Sequence, residues 1–232
     1  MKTMCKSFSL IAVSIASILL LSEEAAASVT LQPIGASTNM GEYIGSDVNG
    51  TLVFSASHVI DQSDLYPTYI SNVSDFDSYL ALNPAAEHGF GNAIWGASAG
   101  VQSGNFDLDL GGSYTVNAMA LWNLYDDPSA IRQFNILLDD NASFSSPVEF
   151  SGFTASNSLG RGIGSFAQVF NFEPTVAHFV RLEILNTYPG SFSAAFNEVM
   201  FGVSPIPEPE TYALLLAGLG LIGFMTRGRK AA

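Results

Sequence analysis

FDLDLGGSYTVNAMALWN, residues 106–123, decides the fold class. In its first five residues Phe106, Leu108 and Leu110 alternate with Asp107 and Asp109, the period-two pattern of a strand with one wet face. Gly111-Gly112-Ser113 predicts a turn. The following YTVNAMALWN is apolar on both faces, as expected of a strand covered on each side. Working outward, IRQFNILL (131–138) reads as another strand, closed by the turn residues of DDNAS. FAQVFNF (166–172), HFVRLEIL (178–185) and FNEVMFGV (196–203) follow, parted by Glu173-Pro174-Thr175 and by Tyr188-Pro189-Gly190-Ser191. None of these stretches sustains a helical period, so the expected class is all-β, with two sheets packed face to face. Upstream, residues 29–104 are rich in Ser, Asn, Gly and Asp. They predict one short helix in DFDSYLALNPA (75–85), capped by Asp75 or Asp77 and stopped by Pro84.

The two ends differ from this middle. Lys2 and Lys6 precede the apolar run Phe8–Leu21, and Ala25, Ala26 and Ala27 close it, the pattern of a secretory signal peptide over residues 1–27. Cleavage there removes Cys5, the only cysteine, so thiol and disulfide chemistry are not expected. At the other end Pro207-Glu208-Pro209 precedes the uncharged run Tyr212–Met225, and Arg227, Arg229 and Lys230 follow it. As a helix, that run reaches only ~21 Å against ~30 Å of bilayer hydrocarbon. The basic tip supplies the orientation, because Lys and Arg stay on the cytoplasmic side. The expected layout is a domain over 28–202, a linker over 203–210, a hydrophobic transmembrane helix over 211–226 and a basic cytoplasmic tip over 227–232.

Charge narrows the partners. Of 21 acidic residues, 17 lie in 28–202 against Arg132, Arg161 and Arg181, a formal charge of −14 for that region. Such a surface repels phosphate backbones, so nucleic acid is excluded as a partner and cations are favoured. Arg181 shares a strand face with Phe179 and Glu183, and Asp109 is its expected partner in preference to Asp107.

Several motifs tempt and fail on context. GASAG (96–100) has the letters of G-x-S-x-G, but no strand-to-helix elbow is predicted around Ser98 to strain it or to supply an oxyanion hole. GLGLIG (218–223) has the letters of a dinucleotide-binding loop without a βαβ unit around it. His58, His88 and His178 are too scattered for a zinc pattern. The acid pairs Asp75/Asp77, Asp126/Asp127 and Asp139/Asp140 read as solvated turns and caps, since glycosidase chemistry needs two acids facing each other across a cleft. Trp122 alternates with Val116, Ala118 and Ala120 and reads as core. Trp95 and Tyr125 are candidate stacking platforms for a sugar ring, with Asn123 and Asp126 beside Tyr125 as polar candidates, where a strand runs out into a loop.

Two resemblances follow from these residues. PIPEPETYALLLAGLGLIGFMTRGRK (205–230) resembles the PEP-CTERM sorting signal in its three ordered parts. The resemblance implies handling by an exosortase at the inner membrane of a Gram-negative bacterium, then passage to the cell envelope or extracellular matrix. VIDQSD (59–64), FDLDLGGSYTVNAMALWNLYDD (106–127), AHFVRLEIL (177–185) and FNEVMFG (196–202) resemble a discoidin, or coagulation factor 5/8 C-type, domain. That implies a galactose-binding-like jelly-roll β-sandwich that binds sugars, lipids or proteins through loops at one end. Where sugar-binding relatives often carry an arginine, this chain has Leu124. Relatives holding a structural calcium share it between an early acidic loop and a late glutamate, which implies Asp61 and Glu198 here, with Asp64 and Thr68 as further candidates. The loop VIDQSDLYPT (59–68) offers the hard oxygens that calcium prefers. In it Asp61-Gln62 stands where the family usually has Asp-Gly. The alternative is that Asp61 closes a turn and Glu198 bonds backbone.

The function expected from all this is an exported, noncatalytic carbohydrate- or surface-binding protein of the envelope, with extracellular polysaccharide as its partner. A structural matrix component without a small ligand is the alternative, and an exported hydrolase the weaker rival.

Overall fold

The computed structural model of the chain describes residues 28–47, 50–87, 93–162, 164–205 and 215–219. The expected signal helix, His88, Pro207, Glu208, Pro209, Arg227, Arg229 and Lys230 lie outside them, as does most of the C-terminal apolar run. No helix among the described residues is long and apolar enough to cross a membrane.

In chain order the strands are β1 (Val29–Leu31), β2 (Gly35–Thr38), β3 (Tyr43–Asp47), β4 (Gly50–Phe54), β5 (Leu65–Tyr66), β6 (Ala85–Glu87) and β7 (Trp95–Gly96). They continue as β8 (Gly104–Asn123), β9 (Ile131–Asp139), β10 (Val148–Thr154), β11 (Gly160–Arg161), β12 (Gly164–Thr187) and β13 (Ala195–Pro205). The predicted short helix is α1 (Phe76–Leu80), and Asp75 is its cap, accepting the Ser78 N–H at 2.8 Å.

The two longest strands organise the rest. β8 and β12 pair antiparallel along both halves, from Ala167↔Trp122 to Ile184↔Gly104, with register breaks between Asn171 and Thr175 and between Ala177 and Phe179. In one half β2 adds to β8, and β9 with β10 adds to β12. In the other half β13 and β1 add to β8, while β6 and β5 add to β12. The halves face each other as the layers of a β-sandwich. Phe106 of one half meets Phe196 of the other at 5.0 Å, and Phe134 meets Phe170 at 5.1 Å.

The expected turn at Gly111-Gly112-Ser113 is therefore a bend inside one strand, as is the expected break at Glu173-Pro174-Thr175. Gly111 takes a φ of +79°, open to glycine at little cost, and its N–H donates to Asp109 Oδ1 at 2.8 Å. The chain turns the corner between sheets there, and pairing with β12 resumes at Tyr114. Val203, Ser204 and Pro205, read as linker, are the last residues of β13 and pair with Val116, Thr115 and Tyr114.

Both faces of the β8–β13 half are covered, as the apolar run to Asn123 predicts. The inner face packs on the sandwich core. The outer face carries Ala118, Ala120, Trp122 and Met200 against Leu65, Tyr69, Phe76 and Tyr79 from the loop and helix above. Trp122 is buried in this second cluster and its indole donates to the Pro84 carbonyl at 2.9 Å.

Arg181 pairs with Asp107, not with Asp109. Register sets Arg181 opposite Asp107 and Phe179 opposite Asp109, so the guanidinium reaches Asp107 with two bonds of 2.6 and 2.8 Å. Asp109 serves the Gly111 bend and lies 3.1 Å from His178 Nε2. The Arg181 side chain is 21% exposed, and the Phe144 ring lies 4.1 Å from its guanidinium carbon. Two charge-assisted bonds in this half-buried setting place the pair between a surface ion pair and a buried one. Arg181→Ala is expected to lower unfolding stability in urea by about 2 kcal/mol, the range of hydrogen bonds to charged groups. A loss under ~0.5 kcal/mol would reduce it to a surface pair.

Candidate functional site

Two constellations stand out, one at the loop end of the sandwich and one beneath the 61–69 loop.

At the loop end four segments converge on a cavity of about 230 Å³, among them Tyr43 and Phe54 from the β3–β4 hairpin, Leu124 and Asp127 after β8, and Phe192 before β13. Tyr43 meets Phe54 at 5.4 Å and Phe192 at 5.9 Å, both edge to face. Phe192 is 58% exposed, a large ring left in water beside a concave surface. Asp127 accepts the Ser129 N–H at 2.7 Å, and Ser129 also lines the cavity. An aromatic wall with a few fixed polar groups suits a ligand having apolar faces and hydroxyl edges.

The ligand residues expected from sequence lie beside this cavity rather than in it. Trp95 is fully buried, packed on Phe106 and Phe196, with its indole N–H donating to the Gly41 carbonyl at 3.2 Å. Asn123 is buried too, and its amide ties down Ile131 through bonds of 2.8 and 3.1 Å. Both serve the core and are closed to a ligand. Tyr125 is half-buried against Gly160, and Asp126 is exposed with a φ of +52°. Neither lines the cavity, whereas their neighbours Leu124 and Asp127 do. Sequence reasoning passed over Phe192. An aromatic flanked by serines just after Pro189-Gly190, in a segment with no strand pattern, was the available signal.

The second constellation centres on Glu198, 3% exposed, whose Oε1 has no hydrogen-bond partner. A bulge between Phe196 and Glu198 breaks the alternation of β13. Phe196 enters the sandwich core, while Glu198 sits opposite Trp122. Burial pushes the Glu198 carboxyl well above its ordinary range, and Asp61 and then Asp64 push it the same way, against a bond from the Gln62 backbone N–H. Asp61 and Asp64 thus lie within electrostatic reach of Glu198, and Thr68 sits exposed on the same loop. Gln62 holds the loop with a φ of +58°, the glycine-like conformation, while its side chain bonds Gln32 and the Tyr69 N–H. Burial, then Glu198 itself, also raises the Tyr69 phenol, whose buried hydroxyl has no partner. Asp61 does close a turn, accepting the Ser63 N–H at 2.9 Å. Among the described residues no group of three or more His, Cys, Asp or Glu side chains is arranged to hold a metal ion.

The remaining motifs are structural. The Ser98 hydroxyl donates to the Glu42 carbonyl at 3.4 Å, His58 lies 3.3 Å from the Ile94 carbonyl, and Asp139 caps its own turn.

Residues 205–230 match the PEP-CTERM protein-sorting motif. No curated protein matches the chain. Among solved structures, the chain is similar to a truncated AlyQ with CBM32 and alginate lyase domains, at 16% identity and a TM-score of 0.46, covering 78% of this chain and 35% of that one. It is also similar to the CBM32 of AlyQ in complex with 4,5-unsaturated mannuronic acid, at 16% identity and a TM-score of 0.43, covering 74% and 96%. A third is the family 32 CBM from C. perfringens NanJ in complex with galactose, at 13% identity and a TM-score of 0.46, covering 75% and 98%.

Glu198 gives the protein a pH signature. Its folded pKa is raised, so the native state keeps a proton that the unfolded chain releases above about 4.5. The stabilisation is complete below that value and is lost as pH rises through the folded pKa. In chelator, urea midpoints should fall as pH rises from 4.5 toward neutrality, and Glu198→Gln should flatten that slope. An unchanged slope in the variant would assign it elsewhere.

Proposed function

We propose that this chain is an exported, noncatalytic binding module that holds a carbohydrate in the loop-end pocket. The observation that carries the reading is Phe192, an exposed ring at a concave aromatic wall with Asp127 and Ser129 alongside. Aromatic faces cover the apolar C–H side of a sugar ring, and side-chain oxygens take its hydroxyls.

The sorting motif at 205–230 supports export, with an exosortase of a Gram-negative inner membrane as processing partner and the envelope or its matrix as destination. The fold suits that route. β13 begins at the pocket with Ala195 and ends at Pro205, about 33 Å away for ten strand steps. The chain enters beside that exit, Val29 pairing with Val203. A domain leaving a membrane through Pro205 would present its pocket outward.

We further propose that Glu198, Asp61 and Asp64 hold a structural calcium ion, with Thr68 at the rim. The orphaned Glu198 oxygen supports this, since a cation would compensate a buried carboxylate, with backbone carbonyls completing the oxygen shell. Calcium when bound would cross-link the 61–69 loop to β13. Calcium at 100 times its dissociation constant should stabilise the protein by about 2.7 kcal/mol. Glu198→Gln should abolish the gain, and equal melting midpoints in calcium and chelator would overturn the assignment.

Binding itself is tested on a glycan array with the full chain in detergent. Selective retention of a saccharide, reduced at least tenfold by Phe192→Ala, is the expected result. Silence across the array would favour a matrix component without a small ligand, and retention indifferent to Phe192→Ala would move the site.

A further inference from the structure

The end of the sandwich where the chain leaves at Pro205 carries apolar side chains in water. Ile34 is 72% exposed, Val73 67% and Ile70 66%, and Val176 is exposed as well. Singly such residues are ordinary, and it is their placement that matters. Ile34 lies over the Gly111 bend, where a methyl group on Gly111 would meet its side chain at 3.1 Å. Val176 stands opposite Thr115, whose other neighbour across the sheet is Ser204. Ile70 and Val73 belong to the loop that covers β1, which the Thr30 N–H ties down at the Ser74 carbonyl and the Asn72 N–H at the Thr30 carbonyl. The Asn72 amide also donates to the Tyr114 hydroxyl at 3.4 Å, and Tyr114 is the register partner of Pro205. Ser71, between Ile70 and Val73 in the chain, borders the same groove as Ile34. Each of the four is thus tied, directly or through one neighbour, to the bend or to the last residues of β13.

The order of the chain says what meets this end. Residues 206–211 follow Pro205, and the uncharged run Tyr212–Met225 comes next. Fully extended, those six residues reach about 21 Å. A run placed in a bilayer therefore holds the exit end close to lipid, at an effective concentration high enough to populate a contact too weak to act alone. Charge decides the kind of contact. Residues 28–202 carry a formal charge of −14 with Arg132, Arg161 and Arg181 as their only Arg or Lys residues, so attraction to anionic headgroups is not on offer. Apolar burial remains. Given a tail inserted in the membrane, as the export reading has it, we infer that this end of the sandwich seats on the surface of that bilayer, with Ile34, Ile70, Val73 and Val176 at the headgroup–acyl boundary of zwitterionic lipid. Seated so, the domain stands upright, and the loop-end pocket is held about 33 Å off the lipid instead of swinging on its linker.

The test is methyl NMR of the full chain, one copy per phosphatidylcholine nanodisc, with and without a gadolinium-chelating lipid. The methyl groups of Ile34, Ile70 and Val73 should relax at least tenfold faster than those of Ile44 and Leu124 at the loop end, equally at low and high salt. Ile34→Ser combined with Ile70→Ser, both at exposed positions, should lower the enhancement at Val73 and Val176 at least threefold. Flotation with phosphatidylcholine vesicles reads the tail separately. A chain that floats but shows equal relaxation at both ends would overturn the docking and leave the tether standing, and a chain that does not float would overturn both. Enhancement that appears only when two copies share a disc would assign the face to a second copy and overturn the proposal. Silence on the glycan array beside the expected enhancement would remove the pocket and support this face.

Discussion

The structure depends on one ribbon. β8 and β12 stay hydrogen-bonded to each other through both layers of the sandwich, so neither layer exists without the bends that carry the pair around the corner. The bends are chemically specified. Gly111 supplies a positive φ, Asp109 holds its N–H, and the register break between Ala177 and Phe179 stands opposite it on the partner strand. Because the strands run on, their side chains are shared between two layers, and Phe106, Phe134, Phe170 and Phe196 interlock across the core. The corner lies at the end where β13 finishes, and the free strand ends lie where the pocket opens.

A bulge plays the complementary part in β13. Strict alternation would put Phe196, Glu198 and Met200 on one face; the break at Asn197 sends Phe196 inward and leaves Glu198 beside the 61–69 loop. An ionisable group in that position is unfavourable by itself, as the upward push on its carboxyl records. Compensation by a proton or by a cation are the two ways to hold it. They make opposite demands, since acid supplies the first and displaces the second.

Much of the fold was legible because strands announce themselves locally. Alternation in FDLDL, the doubly apolar ALWN and the Asp75 cap each follow from adjacent residues, and each stands as read. What was not legible is long-range. Gly-Gly-Ser ends a strand as readily as it bends one, and only the unbroken partner strand decides. Asp107 and Asp109 are equivalent on paper, and register alone gives Arg181 the former. Of the candidate ligand residues, Trp95 and Asn123 are buried while their neighbours Ile94, Gly96 and Leu124 line the loop-end cavity, because a strand end shows two faces and tertiary packing chooses between them. Asp61 and Asp64 act on the charge of Glu198 from more than 130 residues away in the chain, which no local pattern encodes.

The central claim is that ligand recognition sits at the free strand ends, opposite the exit at Pro205. It is tested most directly by mapping backbone amide shifts across the chain while titrating a saccharide that the protein retains. The account predicts the largest changes at Tyr43, Phe54, Leu124, Asp127 and Phe192, with Tyr114 and Val203 silent. Changes concentrated around Gly111, Tyr114 and Val203, with the loop end unmoved, would contradict it.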